Sequence, residues 1–148
     1  MEKAELIKCT SDPLFIDELE RLFQAKWSDF RFKDTYSDGV DLPLVIVAVV
    51  GSKVVGGLAY SRFKEPHQSS EVIWINAVYV REEWRGKGIA SKLIRCGVRQ
   101  VPHQIQDQLY VYTNVAPLYI SLGWSVVDIE SEPNHNVMSI SLKPESHV

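Results

Sequence analysis

Two glycines in a short basic turn are the residues of this sequence best suited to bind a ligand. The segment Arg85–Ala90 reads Arg-Gly-Lys-Gly-Ile-Ala and lies between an apolar strand pattern, Val72–Val80, and an amphipathic helix pattern. Because Gly86 and Gly88 have no Cβ, the backbone can adopt conformations closed to other residues and point successive N–H groups into the turn. The next helix adds unpaired amides and the positive end of its dipole. The segment therefore predicts a phosphate or pyrophosphate site.

Two common phosphate motifs do not fit this spacing. The dinucleotide fingerprint requires G-x-G-x-x-G, whereas Gly86 and Gly88 are not followed by a third glycine. The P-loop requires G-x-x-x-x-G-K-[ST], and the nearest segment, Gly51–Lys53, lacks the upstream glycine and has its last residues in the wrong order. Neither a Rossmann site nor a P-loop is predicted.

The turn instead resembles the coenzyme A pyrophosphate loop of the GNAT superfamily of N-acetyltransferases, whose pattern is [QR]-x-x-G-x-[GA]. Arg85, Gly88 and Ala90 fill its three fixed positions. Downstream, Tyr119–Trp124 is similar to the family's second hallmark, a helix that carries a tyrosine and ends in leucine, glycine and an aromatic residue. The resemblance covers essentially the whole chain. It implies one domain over residues 1–148 with an α/β (α+β) fold, in which helices flank a mixed, largely antiparallel central sheet.

Main-chain groups would provide most of the cofactor binding that this resemblance implies. Acetyl-CoA is the implied cosubstrate, with its pyrophosphate on the backbone amides of the turn. Its pantetheine arm would pair with main-chain groups near Val78 and Val80, where the strand splays from its neighbour. The implied cofactor-binding residues are Val78, Tyr79, Val80, Arg85, Gly86, Lys87, Gly88, Ile89, Ala90, Ser91 and Asn114.

Polar side chains near the turn leave alternatives open. Arg85 and Lys87 either contact a phosphate or only raise the local potential. Asn114 lies five residues before Tyr119, whereas the family commonly places an asparagine or threonine some seven residues before, so the cofactor role of Asn114 is open. Three cations of the following helix either reach the 3′-phosphate of the cofactor or form a solvated helix face: Lys92, Arg95 and Arg99.

Acetyl transfer from a thioester to an amine needs a proton donor for the departing thiolate. Tyr119 stands in the second motif. A phenol has an ordinary pKa of about 10 and a thiol one of about 8.5, so the phenol is still protonated at a pH where the thiol begins to ionise. We therefore predict that Tyr119 is the general acid that protonates the thiolate. The alternative is that Tyr119 is only a core aromatic residue on a short helix. Neither Cys9 nor Cys96 lies in the motifs. Direct attack of the amine is predicted rather than a covalent enzyme intermediate.

A proton acceptor for the amine is harder to find. Many relatives use a glutamate on the central strand, and Glu71 is the only carboxylate there. It stands one residue before the usual position, now Val72, and a one-residue shift moves a side chain to the other face of a strand. The sequence predicts either Glu71 or a chain of waters as the base. Without a working base, the chain would be a catalytically silent acyl-CoA-binding or regulatory domain.

An amine-bearing acceptor should bind at the opposite mouth of the cleft. In the family this mouth is lined by the segment that corresponds to Trp27–Asp41 and by the loop after Tyr60. Four aspartates of the first segment either attract a cationic amine or form a polar surface loop: Asp29, Asp34, Asp38 and Asp41. A small amine, an antibiotic, an amino acid and a protein terminus are all open as acceptors. A homodimer is common in the superfamily and is a further possibility here.

Composition restricts the partners and the location. The 148 residues include 16 basic and 19 acidic side chains, a net charge of −3. Nucleic acid is therefore not an expected partner, which disfavours an acyltransferase that acts on aminoacyl-tRNA. The two cysteines, the short apolar runs and the absence of a signal-peptide pattern predict a cytoplasmic protein without membrane contact. The four histidines form no ligand spacing with the cysteines, so no metal is expected.

Alternating strand and helix patterns supply the elements that would position these residues. Strands are predicted at about Ala4–Cys9, Leu44–Val50, Lys53–Tyr60, Val72–Val80, Leu109–Thr113, Val126–Ile129 and Val137–Leu142. Helices are predicted from Asp12-Pro13 to Trp27, after the glycine turn, and over Pro117–Leu122, with Gly123 as a left-handed stop and a frayed tail after Pro144. Val72–Val80 is apolar on both faces, which is typical of a central strand.

Overall fold

One mixed sheet organises the chain. The computed structural model describes residues 3–9, 13–37 and 41–144; the predicted helix cap at Asp12 and the tail after Pro144 lie outside them. The strands are β1 (Glu5–Cys9), β2 (Val45–Val50), β3 (Lys53–Lys64), β4 (Glu71–Val80), β5 (Gln108–Thr113), β6 (Ser125–Val126) and β7 (Asn136–Ser141). The helices are α1 (Pro13–Gln24), α2 (Phe32–Thr35), α3 (Ile89–Arg99) and α4 (Ala116–Ser121), and a short 3-10 turn, Glu82–Trp84, precedes α3.

The seven strands lie in the order β1-β2-β3-β4-β5-β7-β6. Every neighbouring pair is antiparallel except β4 and β5, which are parallel. The predicted mixed, largely antiparallel sheet with flanking helices is therefore confirmed. β4 is the central strand, as its apolar pattern on both faces predicts.

Helices pack on both faces of the sheet. On one face, Leu93 and Ile94 of α3 and Tyr119 of α4 join a core that includes Leu58 and Ile75. On the other face, α1 packs over β2 and β3 in a second core. Farther along this second face, Trp74, Tyr110 and Val137 of β4, β5 and β7 form a small separate cluster. The surface next to this cluster contains the candidate site.

The helix α3 packs very close to β3. A Cβ on Gly97 would lie 2.9 Å from Cδ1 of Leu58 and 3.2 Å from the hydroxyl oxygen of Tyr60. The Tyr60 hydroxyl, fully buried, instead donates a hydrogen bond of 2.7 Å to the Gly97 carbonyl and accepts one of 3.1 Å from the Gln100 side chain. This contact fixes α3, and with it the glycine turn, against the sheet.

Several element boundaries differ from those predicted. α1 ends at Gln24 rather than at Trp27. β3 continues to Lys64, because its pairing with β4 extends along the whole of that strand. The strand predicted over residues 126–129 is only Ser125–Val126. Within the described ranges, no helix is both long and apolar enough to cross a membrane.

Candidate active site

The parallel strands β4 and β5 pair over only two residues and then separate. Trp74 pairs with Tyr110, and Ile75 pairs with Val111. β4 continues to Val80 without a further partner on β5. We call the gap between the diverging strands the fork. The free edge of β4 there can pair with an extended molecule, as it would with an added strand.

A β-bulge at Asn76 changes the direction of the side chains at the end of β4. Against β3, Ala77 lies opposite Ala59 and Ile75 lies opposite Tyr60, so Asn76 has no partner. Ile75 packs in the core on the α3 side, whereas Ala77 packs in the core on the α1 side. In a regular strand, residues two apart lie on the same face. The bulge therefore reverses the alternation, and it leaves the exposed Asn76 at the fork.

A cavity of about 1610 Å³ opens at the fork. Residues on both faces of the sheet line it, because the diverging strands leave a passage between the faces. From the α3 and α4 side it is lined by Ala90, Leu118 and Tyr119. From the other side it is lined by Tyr112 of β5, by the β3–β4 loop and by the segment before β7; the loop and the segment include Glu65, His67, Glu130, Glu132 and His135.

The structure brings most, but not all, of the predicted site residues to this cavity. Those that line it are Val78, Tyr79, Val80, Arg85, Ala90, Asn114 and Tyr119. Of the other predicted loop residues, Gly86, Lys87 and Gly88 are exposed, Ser91 is half-buried, and Ile89 is buried in the core. The side chain of Ile89 therefore anchors the start of α3, and only its backbone is available to a ligand. The cofactor roles of these residues stay predictions.

The glycine turn has the backbone conformation that its sequence predicts. Gly86 and Gly88 have φ values of +77° and +80°, in the left-handed region that other residues avoid. A Cβ on either residue would have no heavy atom within 4 Å. Glycine is therefore required here by the backbone conformation, and the space beside the turn is open. The first amides of α3, an 11-residue helix, lie at this open turn.

Tyr119 is buried in the wall of the cavity. Its side chain is only 3% exposed, and its ring packs edge-on against Trp124 with 5.2 Å between ring centroids. No hydrogen bond joins its hydroxyl to another residue of the described ranges. Burial raises the pKa of Tyr119, so its phenol keeps its proton well above neutral pH. A protonated hydroxyl with no protein partner can donate to a group in the cavity.

Glu71 does not line the cavity. It is exposed at the first position of β4, opposite Lys64 of β3, and its backbone carbonyl accepts a hydrogen bond from Arg62. The part of β4 that lines the cavity begins at Trp74. The carboxylate that the sequence suggested as a base therefore lies beside the β3–β4 loop but is not part of the cavity wall.

Two cations and two aromatic rings line the cavity where β4 ends. The ammonium of Lys26 lies 4.9 Å from the ring centroid of Trp27, and the guanidinium carbon of Arg85 lies 5.1 Å from that of Tyr79. The two rings are 6.4 Å apart. Arg85 Nε also donates a hydrogen bond of 2.9 Å to the Val80 carbonyl. Burial, and then the charge of Arg85, lower the pKa of Lys26, so an anion bound here would relieve a repulsion.

Carboxylates lie on the β5 side of the same cavity. Glu65 accepts a hydrogen bond of 2.8 Å from the Tyr110 hydroxyl. Burial and this bond raise the pKa of Tyr110. Glu130 and Glu132 line the cavity from the segment before β7. The cavity therefore has Lys26 and Arg85 at one end and three carboxylates, with Lys64 next to Glu65, at the other.

The predicted acceptor segments are only partly at the cavity. Trp27 lines it, and so does the loop after Tyr60, through residues 63–67. Among the predicted aspartates, Asp29, Asp34 and Asp41 are exposed and do not line it, and Asp38 lies outside the described residues.

Two histidines of the cavity wall were not found by the sequence analysis. His67 has a φ of +64°, and its Nε2 lies 2.9 Å from the Asp128 carbonyl oxygen, which joins two loops. The ring of His135 stacks on Tyr112 with 5.1 Å between centroids and 19° between planes. Neither histidine belongs to a motif, so only the fold brings them to the site. Across the described part of the chain, no group of three or more His, Cys, Asp or Glu side chains could hold a metal ion.

The comparison with protein families determines the class of this molecule. The model of the Acetyltransferase (GNAT) family matches residues 12–123, which include the glycine turn, the fork and Tyr119. The chain belongs to the GNAT acetyltransferase family. A search of the curated proteins gave no match.

Solved structures of GNAT proteins share the fold at low sequence identity. The N-acetyltransferase YhbS of Escherichia coli, solved with CoA, is 19% identical, with a TM-score of 0.72 over 97% of this chain and 83% of its own. Naa50 of Arabidopsis thaliana, solved with the bisubstrate analogue CoA-Ac-MVNAL, is 19% identical, with a TM-score of 0.69 over 94% and 99%. The aminoglycoside 6'-N-acetyltransferase of Enterococcus faecium is 13% identical, with a TM-score of 0.72 over 97% and 99%.

Proposed function

We propose that this GNAT protein transfers an acetyl group from acetyl-CoA to a primary amine of a small molecule or a protein, by direct attack in a ternary complex. The observation behind the proposal is the cavity at the fork, which is lined from both faces of the sheet. A thioester held between the strands would have Tyr119 on one face and the acidic part of the cavity on the other.

The donor would bind along β4 and at the start of α3. The pantetheine arm would pair with the free edge of β4, and the pyrophosphate would lie on the amides of the glycine turn. Lys26 and Arg85 line the cavity at the end of β4. They would add positive charge next to the phosphates, while most of the binding would come from main-chain groups. Two neighbours solved with CoA or a CoA-containing analogue support this arrangement.

The chemistry would need no covalent intermediate on the protein. The amine nitrogen attacks the thioester carbonyl carbon, and the C–S bond breaks as the tetrahedral intermediate collapses. Tyr119, whose pKa is raised by burial, donates its proton to the departing sulfur. Cys96 is half-buried on α3 and does not line the cavity, so it is not placed to act as a nucleophile.

The charges of the cavity favour an acceptor that arrives as a cation. The carboxylates of Glu65, Glu130 and Glu132 lie on the side from which the amine would attack. An alkylammonium group is attracted to such a surface, which raises its local concentration. The aminoglycoside acetyltransferases and the peptide-linked analogue of Naa50 among the structural neighbours provide two classes of amine for a first screen.

The first test is a thermal-shift titration with acetyl-CoA. Saturation at about one hundred times the dissociation constant should add about 2.7 kcal/mol to the free energy of unfolding. Gly88→Glu should abolish this shift, because it places a carboxylate and a strained residue in the turn. Gly51→Glu is the matched control, since Gly51 also has a positive φ, +60°, and open space around it, but lies in the β2–β3 hairpin. It should lower the melting temperature and keep the shift.

Turnover is then measured as the release of free CoA thiol with spermidine, kanamycin, lysine amide and a pentapeptide with a free N-terminus. Acetylation of at least one amine is expected. A cofactor-dependent thermal shift without turnover of any amine would instead indicate a catalytically silent acyl-CoA-binding domain. No shift at millimolar acetyl-CoA would contradict the donor assignment itself.

A further inference from the structure

The proposed reaction needs a group that removes a proton from the acceptor. An alkylamine with a pKa of about 10.4 is mostly protonated at neutral pH, and the ammonium form has no lone pair for attack. Glu71, the carboxylate on β4, does not line the cavity. The base is therefore sought among the other groups of the cavity wall.

Imidazoles are better suited than carboxylates to this step. A general base works best when its pKa lies near the working pH, and an imidazole, at about 6.5, lies nearer than a carboxylate at about 4.3. Glu65 is moreover engaged by the Tyr110 hydroxyl at 2.8 Å. Within the described residues, the histidines that line the cavity are His67 and His135.

The hydrogen bond of His135 leaves the correct nitrogen free. Its Nδ1 lies 3.0 Å from the Pro133 carbonyl oxygen. A carbonyl oxygen only accepts, so Nδ1 must carry the proton, and Nε2 of the neutral ring then has the free lone pair. In His67 the bond to the Asp128 carbonyl is made by Nε2. There the free lone pair is on Nδ1, the nitrogen next to the Cβ branch, and the side chain is exposed whereas His135 is half-buried.

The position of His135 also fits, because it lies next to the point where the strands diverge. Its ring stacks on Tyr112, which directly follows Val111, the last β5 residue paired with β4. The Tyr112 hydroxyl accepts a hydrogen bond of 3.0 Å from the Glu132 N–H, and β7 begins at the residue after His135. The imidazole is thus held by a ring, a carbonyl and the start of a strand at the mouth of the fork.

We infer that Nε2 of His135 is the general base of the proposed acetyl transfer, an assignment that rests on the proposed function. His135 removes one proton from the substrate ammonium, and the free amine forms the new C–N bond. As the C–S bond breaks, Tyr119 donates its proton to the thiolate. The nitrogen loses its second proton as the amide forms, and this proton reaches the Tyr119 phenolate through solvent and regenerates the phenol. His135 releases the first proton to water. In sum, one substrate ammonium ion and one thioester are converted to one amide, one free thiol and one proton.

The test combines two variants with a matched control. His135→Gln should lower kcat/KM for the best amine of the screen by about 10² to 10⁴ and leave the Kd of acetyl-CoA unchanged. It should also remove the acidic limb of the kcat/KM profile against pH. His135→Ala should regain activity when free imidazole is added, which loss of a purely structural contact would not allow. His103→Gln, a half-buried histidine away from the cavity, should behave as the unchanged protein.

Other titratable groups share this part of the cavity and must be separated from His135: Lys64, Glu65, His67, Tyr112, Glu130 and Glu132. Long-range ¹H–¹⁵N spectra, assigned with His135→Gln, should show that the neutral His135 ring carries its proton on Nδ1. The opposite tautomer would overturn the inference. So would an acidic limb that persists in His135→Gln, or turnover within threefold of the unchanged protein; in both cases the proposed function would stand. Cofactor binding without turnover of any amine would overturn both.

Discussion

Replacement of Tyr119 by phenylalanine removes one oxygen atom from the cavity wall and keeps the ring that packs against Trp124. The hydroxyl has no hydrogen-bond partner among the described residues, so its loss should change the free energy of unfolding by well under 1 kcal/mol. Loss of a positioned proton donor should lower kcat by about 10² to 10⁴, which corresponds to about 2.7 to 5.5 kcal/mol of barrier. Catalysis and stability should therefore be affected very differently.

Tyr60→Phe provides the opposite case. Tyr60 is also a buried tyrosine, but its hydroxyl bonds to Gly97 and Gln100, and the residue does not line the cavity. This variant should lose about 1 to 2 kcal/mol of stability, or about 2 to 8 °C in melting temperature, with kcat unchanged. Thiol release, calorimetric binding of acetyl-CoA and thermal melts would be measured on both variants. A kcat for Tyr119→Phe within threefold of the unchanged protein would refute the assignment of Tyr119 as the acid.

Three further predictions concern the strand edge, the buried phenols and the basic end of the cavity. In Gly56→Ala, the new Cβ would lie 2.7 Å from the Tyr79 carbonyl oxygen of β4, so β3 and β4 must move apart. Thermal melts should show a free energy of unfolding lower by about 1 to 3 kcal/mol. Calorimetry should show weaker binding of acetyl-CoA. Burial raises the pKa values of Tyr36, Tyr60 and Tyr119, as it does that of Tyr110 at the cavity. The stabilising contribution of Tyr36, Tyr60 and Tyr119 is complete below pH about 10, which is the pKa of a tyrosine in the unfolded chain. Above that pH the free energy of unfolding, measured with urea, should fall by up to about 4 kcal/mol per pH unit. A free energy of unfolding that stays constant to pH 11 would contradict the burial of these phenols. Lys26→Met should weaken acetyl-CoA binding several-fold at low salt and by less at high salt, since it removes a cation beside the phosphates. Equal affinities of the variant and the unchanged protein for acetyl-CoA would exclude Lys26 from the donor site.

The parts of the site that depend on local sequence could be predicted, and those that depend on tertiary contacts could not. The positive φ of Gly88 and the helix that follows are local features, so the turn could be identified from six residues. Tyr119 could be identified because a motif surrounds it. His135 has no such context, because its position follows from the register of β5 with β7 and from a carbonyl two residues earlier.

Glu71 shows the limit of reasoning by position along a strand. It is not part of the cavity wall, although its cross-strand partner Lys64 is, so a position along the strand does not determine which side chains reach the site. The sequence shows an apolar β4, but not where β5 leaves it. The carboxylates of the cavity come from the β3–β4 loop and the segment before β7, whereas Asp29, Asp34 and Asp41 are exposed and do not line it.

The bulge at Asn76 makes this architecture tolerant of a deletion at that one position. Loss of that single codon would restore a regular ladder between β3 and β4, and the chain would still have its seven strands. Ala77 would then follow Ile75 directly and stay opposite Ala59, so Ala77 and Tyr79 would keep their places on the α1 side, and only the exposed Asn76 side chain would be lost from the fork. One in-frame codon at this position could therefore be gained or lost during evolution without turning the rest of β4 over, so the polar group at the fork can change independently of the glycine turn and Tyr119.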